Sequence, residues 1–343
     1  MNIGYATIYG DVYAQDRLFD ETSCKIGENL LKPGIALKDR MEKGGHSFHT
    51  IDLFSTRTLE YGIFQDLCYD YYITRNDPIA MAKYIYRQKW RDDHFLRARK
   101  LDPEKRLLII QEPEVVSPLS YCKEYHKYFG KILTWNDDLV DNRKYFKFFY
   151  PQPVPARMLN KPFAEKRMLT MMCSNKTSEG ANELYSARRE VIRYYEEQCG
   201  TEFDLYGVGW EGETLKNYKG KAAAKLETLS GYRFAICYEN MTNVKGYITE
   251  KIFDCFFAGC VPIYQGADNI TDYIPKGTFI DRKVFQDMDE LTDFLKRMDE
   301  EEYRQYTEQA QEYLHSELFR ECFSVEAYVN RIYGLVTGQG SSR

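Results

Sequence analysis

The apolar and polar stretches of this chain alternate in the manner of a parallel α/β protein. Short apolar runs at 2–8, 46–53, 107–110 and 131–135 read as buried strands, because a strand covered on both faces is nearly continuously hydrophobic. Helical spacing appears between them at roughly 26–44, closed by Gly44 and Gly45, and at 78–100, opened by Pro78. The alternation restarts with a strand at 168–173, a polar loop at 174–180, an amphipathic helix at 182–199 and a short strand at 203–206 that runs into the turn YGVGWEG. Between the two halves, FFYPQPVPARMLNKPF (148–163) holds four prolines and can continue neither a helix nor a central strand. The pattern predicts domains at 1–150 and 164–320, a linker at 151–163, and a C-terminal helix and tail at 321–343 that packs back on the first domain.

The stretch 232–280 is the most informative. Phe234–Cys237 reads as a buried strand, 239–246 as a polar loop, and Ile252, Phe253, Phe256 and Phe257 as the apolar face of a helix that begins near 247–249 and ends at Gly259. A second strand, Val261–Tyr264, closes on Gly266. The loop therefore lies at the edge where open α/β sheets bind ligands. Helical patterns follow near 288–298, 300–315 and 324–336.

Composition narrows the function classes. A net charge of -5 over 343 residues argues against a nucleic-acid partner, which requires a basic excess. Nine cysteines without a CxxC pair or a Cys/His cluster point to a reducing compartment and to no metal site. Apolar runs all fall short of the roughly 18 residues that span a membrane. The 29 tyrosines and 20 phenylalanines suit sugar-stacking clefts and equally suit an aromatic core. Asp287-Met288-Asp289 imitates a metal-binding DxD, but it precedes a helical pattern and reads as an N-cap; Asp137-Asp138 reads likewise. Two alternating halves and a proline-rich linker predict two Rossmann-like domains facing across a cleft, the GT-B architecture of sugar-nucleotide transferases. Dehydrogenases share such a plan, but neither half carries GxGxxG after its first strand.

The runs YRFAICYEN, GYITEK, AGCVPIYQG and DYIPKGTFI, preceded by MMCSN, SARREVIRYY and DLYG and followed by FQDMDELTDFLKRMDEEEYRQY, resemble the family 10 glycosyltransferases, the α-1,3/4-fucosyltransferases, in order and spacing. The resemblance covers roughly 168–310 and is thin in the first half. It implies an inverting, metal-independent transfer of L-fucose from GDP-β-L-fucose, a co-substrate, to a glycan hydroxyl, with no other cofactor. By the same resemblance Lys251 and Arg188 bind the diphosphate, Glu250 the ribose hydroxyls, and Asn240 and Tyr247 the nucleotide-sugar, with Ser174 and Asn175 of MMCSN at the same donor site. The chemistry agrees, since a departing diphosphate needs fixed cations and a helix N-terminus. Arg189 competes with Arg188. Glu112, in the polar tetrapeptide after 107–110, is the candidate base, with Glu114 as its rival. His126 is a candidate acceptor contact. The expected protein is a cytoplasmic enzyme of bacterial type, with an oligosaccharide or glycolipid acceptor, O3 of GlcNAc or glucose as its target, and peripheral membrane contact for a lipid-borne acceptor.

Overall fold

The computed structural model describes residues 1–24, 29–67, 98, 100–198 and 202–339. The helical pattern at 78–100 and the start of the one at 26–44 fall largely outside them. Two compact units are formed. One comprises 1–151 and 325–343, the other 152–324.

The first unit is built on a six-stranded sheet: β1 (Asn2–Thr7), β2 (Ser47–Thr50), β3 (Tyr61–Gln65), β4 (Arg106–Ile110), β5 (Lys131–Thr134) and β6 (Tyr145–Lys147). The order is β2-β1-β3-β4-β5-β6, and every pairing is parallel. All five residues of β4 are buried, which explains the unbroken apolar run that announced it. The pattern reading missed β3, where Gly62 breaks up the run YGIFQ, and β6, whose three residues are half-buried. It also overextended β2, because Ile51–Leu53 turn into a 3-10 helix. Helix α1 (Lys32–Lys43) packs on this sheet, buries Leu37 and Met41, and carries its proline in the first turn.

The second unit holds β7 (Arg167–Met172), β8 (Phe203–Tyr206), β9 (Tyr232–Tyr238), β10 (Val261–Gln265) and β11 (Ile280–Asp281) in the parallel order β11-β10-β9-β7-β8. Helix α2 (Tyr185–Glu197) buries Val191, Ile192 and Tyr195 against Leu169, Phe203 and Phe234, with Tyr195 stacked on Phe203 at 4.8 Å. Each such aliphatic side chain contributes about 1.5–3 kcal/mol on burial. Helix α3 (Lys225–Ser230) precedes β9 and buries Leu226, Leu229 and Ser230. Helix α4 (Glu250–Phe257) buries Ile252, Phe253, Phe256 and Phe257, the apolar set read from the sequence.

Helices α5 (Met288–Arg297), α6 (Glu300–Leu314) and α7 (Glu317–Phe323) follow. Asp287 caps α5 by accepting from Glu290 N at 2.9 Å, the role assigned to the DxD look-alike. Around 137 the cap is Asn136, one residue earlier than expected, while Asp137 pairs with Lys147 at 2.6 Å.

Residues 152–163 are hydrogen-bonded and packed within the second unit. Gln152 N bonds Phe323 O at 2.7 Å, Leu159 N bonds Phe257 O at 2.9 Å, and Phe163 lies beneath the Arg233 guanidinium at 3.7 Å. Their prolines exclude regular structure without excluding packing. Helix α8 (Val325–Thr337) belongs to the first unit, where Arg40 stacks 3.5 Å over Tyr333 and Lys131 Nζ bonds Leu335 O at 2.6 Å. Among the described residues no helix is long and apolar enough to cross a membrane.

Candidate functional site

In the second unit the chain passes from β7 outward to β8 and then returns to β9 on the other side of β7. The carboxyl ends of β7 and β9 thus flank a topological switch point, where doubly wound sheets open a ligand crevice. The residues after these strands are 173–175 and 239–246.

Glu239 is the first residue beyond β9, and it is fully buried. Its Oε1 accepts from Thr249 N at 2.8 Å, and its Oε2 accepts from Thr249 Oγ1 at 2.8 Å and Lys251 Nζ at 3.1 Å. One carboxylate therefore ties the end of β9 to the first turn of α4. Gly266 makes this possible, since a Cβ there would stand 2.6 Å from Glu239 Cγ and 2.5 Å from Tyr264 Oη. Sequence reasoning passed over Glu239, although it stands in the quoted run YRFAICYEN; a carboxylate directly after an unbroken buried strand was the available signal.

Lys251 also donates to Thr249 Oγ1 at 3.0 Å, and the Glu250 carboxylate lies 3.8 Å away. Among the described residues two of the three N–H bonds of the quarter-exposed ammonium are thus committed. Burial pulls its pKa down, but Glu239 and Glu250 outweigh that and hold it above the usual lysine value. Glu250 is half-exposed. Partial desolvation pushes its carboxyl up, yet the Lys251 and Lys225 ammoniums and nearby hydrogen bonds bring it to about 2.

Arg188 and Arg189 are neighbours with different environments. Arg188 points inward and is buried; its Nη2 donates to the carbonyls of Tyr238 and Glu239, both at 2.7 Å, and to Asn240 Oδ1 at 3.0 Å. Its Nε and Nη1 have no hydrogen-bond partner among the described residues. Its charge reaches Lys251, whose pKa it lowers against the carboxylates. Arg189 instead bonds Asn175 Oδ1, pairs with Glu213 at 3.1 Å and lies 5.5 Å from the Trp210 ring.

Asn175 is therefore bound up with the turn after β8. Its Nδ2 donates to Gly209 O at 2.9 Å and Glu213 Oε1 at 2.8 Å, and its N to Val208 O at 2.9 Å. Gly207, at φ 150°, allows this approach; a Cβ would meet Cys173 O at 1.8 Å. Ser174, half-buried beside it, accepts from Lys176 N through its carbonyl. Tyr247 is 1% exposed, a core ring whose carbonyl accepts from Tyr264 Oη at 3.3 Å. Lys251, Glu250, Asn240 and Arg188 thus converge around Glu239, while Ser174 and Asn175 border them from the β7 loop.

The two first-unit candidates differ. Glu112 lies just beyond β4, half-buried, whereas Glu114 is exposed. The N–H groups of Gln111 and Glu112 donate to Asp66, which the missed strand β3 delivers. His126 does not present itself to an acceptor. It is 3% exposed with Nδ1 2.9 Å from Tyr145 Oη and Nε2 2.8 Å from Ser120 O, and burial lowers its pKa. Spacing could not reveal that both nitrogens serve the core.

Residues 164–327 match the family model described as glycosyltransferase family 10 (fucosyltransferase) C-term. Similar curated proteins include an α-(1,4)-fucosyltransferase of Arabidopsis thaliana, 43% identical over 20% of this chain and 17% of its own length. An α-(1,3)-fucosyltransferase of Helicobacter pylori is 39% identical over 25% and 18% respectively, and α-(1,3)-fucosyltransferase 4 of Rattus norvegicus is 29% identical over 47% and 36%. The chain thus spans well under two thirds of the length of each of these relatives. Among solved structures, an α1,3-fucosyltransferase with GDP superposes with a TM-score of 0.53, 13% identity, and 98% and 90% of the two chains covered. T4 phage β-glucosyltransferase superposes with 0.55, 13%, 98% and 100%. At such identity the likeness bears on fold alone, and that fold is GT-B. Over residues 164–327, just under half of its length, the chain is thus similar to the C-terminal region of the family 10 glycosyltransferases, the fucosyltransferases.

Proposed function

We propose that this protein transfers L-fucose from GDP-β-L-fucose to a glycan hydroxyl, O3 of GlcNAc or glucose, with inversion and without a required metal. The observation that carries the reading is the pairing of Lys251 with Arg188. Among the described residues Lys251 has one N–H uncommitted at the start of α4, and Arg188 has Nε and Nη1 uncommitted at the end of β9. Two fixed cations and a helix N-terminus neutralise a diphosphate that gains charge as it leaves. Glu250, ionised down to about pH 2, is a permanent acceptor suited to ribose hydroxyls, and Asn240 lines the same edge. The three relatives described above, each a fucosyltransferase, support the choice of sugar.

In the proposed step the acceptor oxygen attacks the anomeric carbon opposite the phosphate. The Glu112 carboxylate takes the hydroxyl proton, the bond from the anomeric carbon to the β-phosphate oxygen breaks, and GDP leaves with that electron pair. The reaction runs in the cytoplasm, with peripheral membrane contact when the acceptor is lipid-borne.

A glycan array supplied with GDP-fucose, followed by linkage analysis of the product and titration calorimetry with GDP and UDP, tests this. Fucosylation in an α-1,3 linkage, unaffected by EDTA, and preference for GDP are expected. Tighter binding of UDP, or transfer only from another GDP-sugar, overturns the donor assignment.

A further inference from the structure

Asp66 directly follows β3, is 6% exposed and sits at φ 56°. Its Oδ1 accepts from Gln111 N at 2.9 Å and Glu112 N at 3.1 Å, and its Oδ2 accepts from Glu112 N at 3.1 Å. Ser120 Oγ approaches Oδ1 at 3.5 Å. These partners are neutral, and among the described residues no cation pairs with the buried carboxyl. A lone buried acid is costly to a fold, and a neutral side chain would serve stability better.

The surroundings show what the carboxyl accomplishes. The carbonyl of Gln111 accepts from Tyr150 Oη and that of Glu112 from Tyr121 Oη at 2.9 Å. The Gln111 side chain accepts from Gln65 Nε2 at 2.8 Å, and Gln65 in turn accepts from Tyr5 Oη at 2.9 Å. Ser120 is held through its carbonyl by His126 at 2.8 Å and through its hydroxyl by Ser117 at 2.8 Å. Pro113 restricts the backbone of Glu112 to extended conformations. Each backbone polar group of Gln111 and Glu112 is thus bound to a side chain of another segment. A base must be fixed in this way before it can meet a proton in line with an attacking oxygen. Both oxygens of Asp66 face amide N–H groups, so an asparagine would turn its own NH2 toward one of them.

We infer that Asp66 is the positioning residue for Glu112, holding the candidate base by its backbone amide at the carboxyl edge of the first sheet. The inference rests on the assignment of Glu112 as base. Burial raises the Asp66 pKa well above the usual range, and Glu112 raises it further.

The test uses Asp66→Asn, Asp66→Gly, Glu112→Gln and the double variant Asp66→Asn/Glu112→Gln, with the acceptor identified on the array. Asparagine and glycine both tolerate φ 56°, so backbone strain does not confound the result. For Asp66→Asn, kcat is expected to fall roughly tenfold to a hundredfold, with the GDP-fucose KM and the GDP Kd unchanged. The double variant should be no slower than Glu112→Gln alone, since Asp66 acts only through Glu112. Tyr121→Phe keeps the ring, removes the bond to the Glu112 carbonyl, and should show the same kcat-only signature should the Asp66 variants fold poorly. An Asp66→Asn enzyme within twofold of wild type beside an inactive Glu112→Gln overturns the inference alone. An active Glu112→Gln overturns the base and the inference together.

Discussion

Glu239 Oε2 lies 3.1 Å from Lys251 Nζ, with the acid fully buried and the lysine a quarter exposed. The same carboxylate holds both polar groups of Thr249 that face it, so one side chain fixes the cap of α4 and the direction of its first cation. Glu239→Ala strips partners from a buried amide, a hydroxyl and an ammonium at once. Loss of roughly 2–4 kcal/mol is expected in denaturant unfolding, because removing one member of a buried pair leaves the other uncompensated. A variant as stable as wild type would refute this arrangement.

Gly266 guards the same contact from the neighbouring strand. Gly266→Ala would put a methyl 2.6 Å from Glu239 Cγ, and the acid must then shift. A destabilisation of about 1–3 kcal/mol is expected, as for other overpacked sites, together with weaker GDP binding. Stability lost without any change in GDP affinity would show that the Glu239 position does not control Lys251.

Lys251→Ala should weaken GDP by about tenfold to a hundredfold in calorimetry, the scale of a lost charge-assisted contact of 1.5–3 kcal/mol. Arg189→Ala, by contrast, should leave GDP affinity within about twofold, because Arg189 is occupied by Asn175 and Glu213. Equal losses in both variants would overturn the assignment of Arg188 as the phosphate arginine.

Lys166 provides a pH signature unrelated to the site. It is 4% exposed, donates to Gly259 O and to Tyr303 Oη at 2.8 Å, and burial lowers its pKa from 10.5 to about 8. Its folded pKa lies below its unfolded one, so the cost of burying the charge is complete below pH 8 and is relieved as pH rises toward 10.5. The Lys166 contribution to stability should therefore increase between pH 8 and 10 by about 1.4 kcal/mol per pH unit. Unfolding of Lys166→Met and wild type across this window measures the difference. A gap that stays constant with pH would show that Lys166 keeps its charge.

The second unit was legible to an unusual degree. Ile252, Phe253, Phe256 and Phe257 repeat at helical spacing and form the buried face of α4, and Phe234–Cys237 is buried along its whole length, so period and burial coincide. Where local pattern and final environment diverged, the reading failed. Gly62 concealed β3, and with it Asp66, and His126, a candidate acceptor contact, is buried with its two ring nitrogens on Tyr145 and Ser120.

By itself the sequence determined the alternation of strands and helices and offered the candidates Lys251, Arg188, Glu250 and Glu112, because hydrophobic period and motif spacing are local properties of the chain. Tertiary structure alone decided that Arg188 turns to the end of β9 while Arg189 turns to the β8 turn, and that two buried acids, Glu239 and Asp66, hold the functional candidates. Such choices depend on hydrogen bonds spanning 12 residues in one case and 46 in the other, separations that no local pattern encodes.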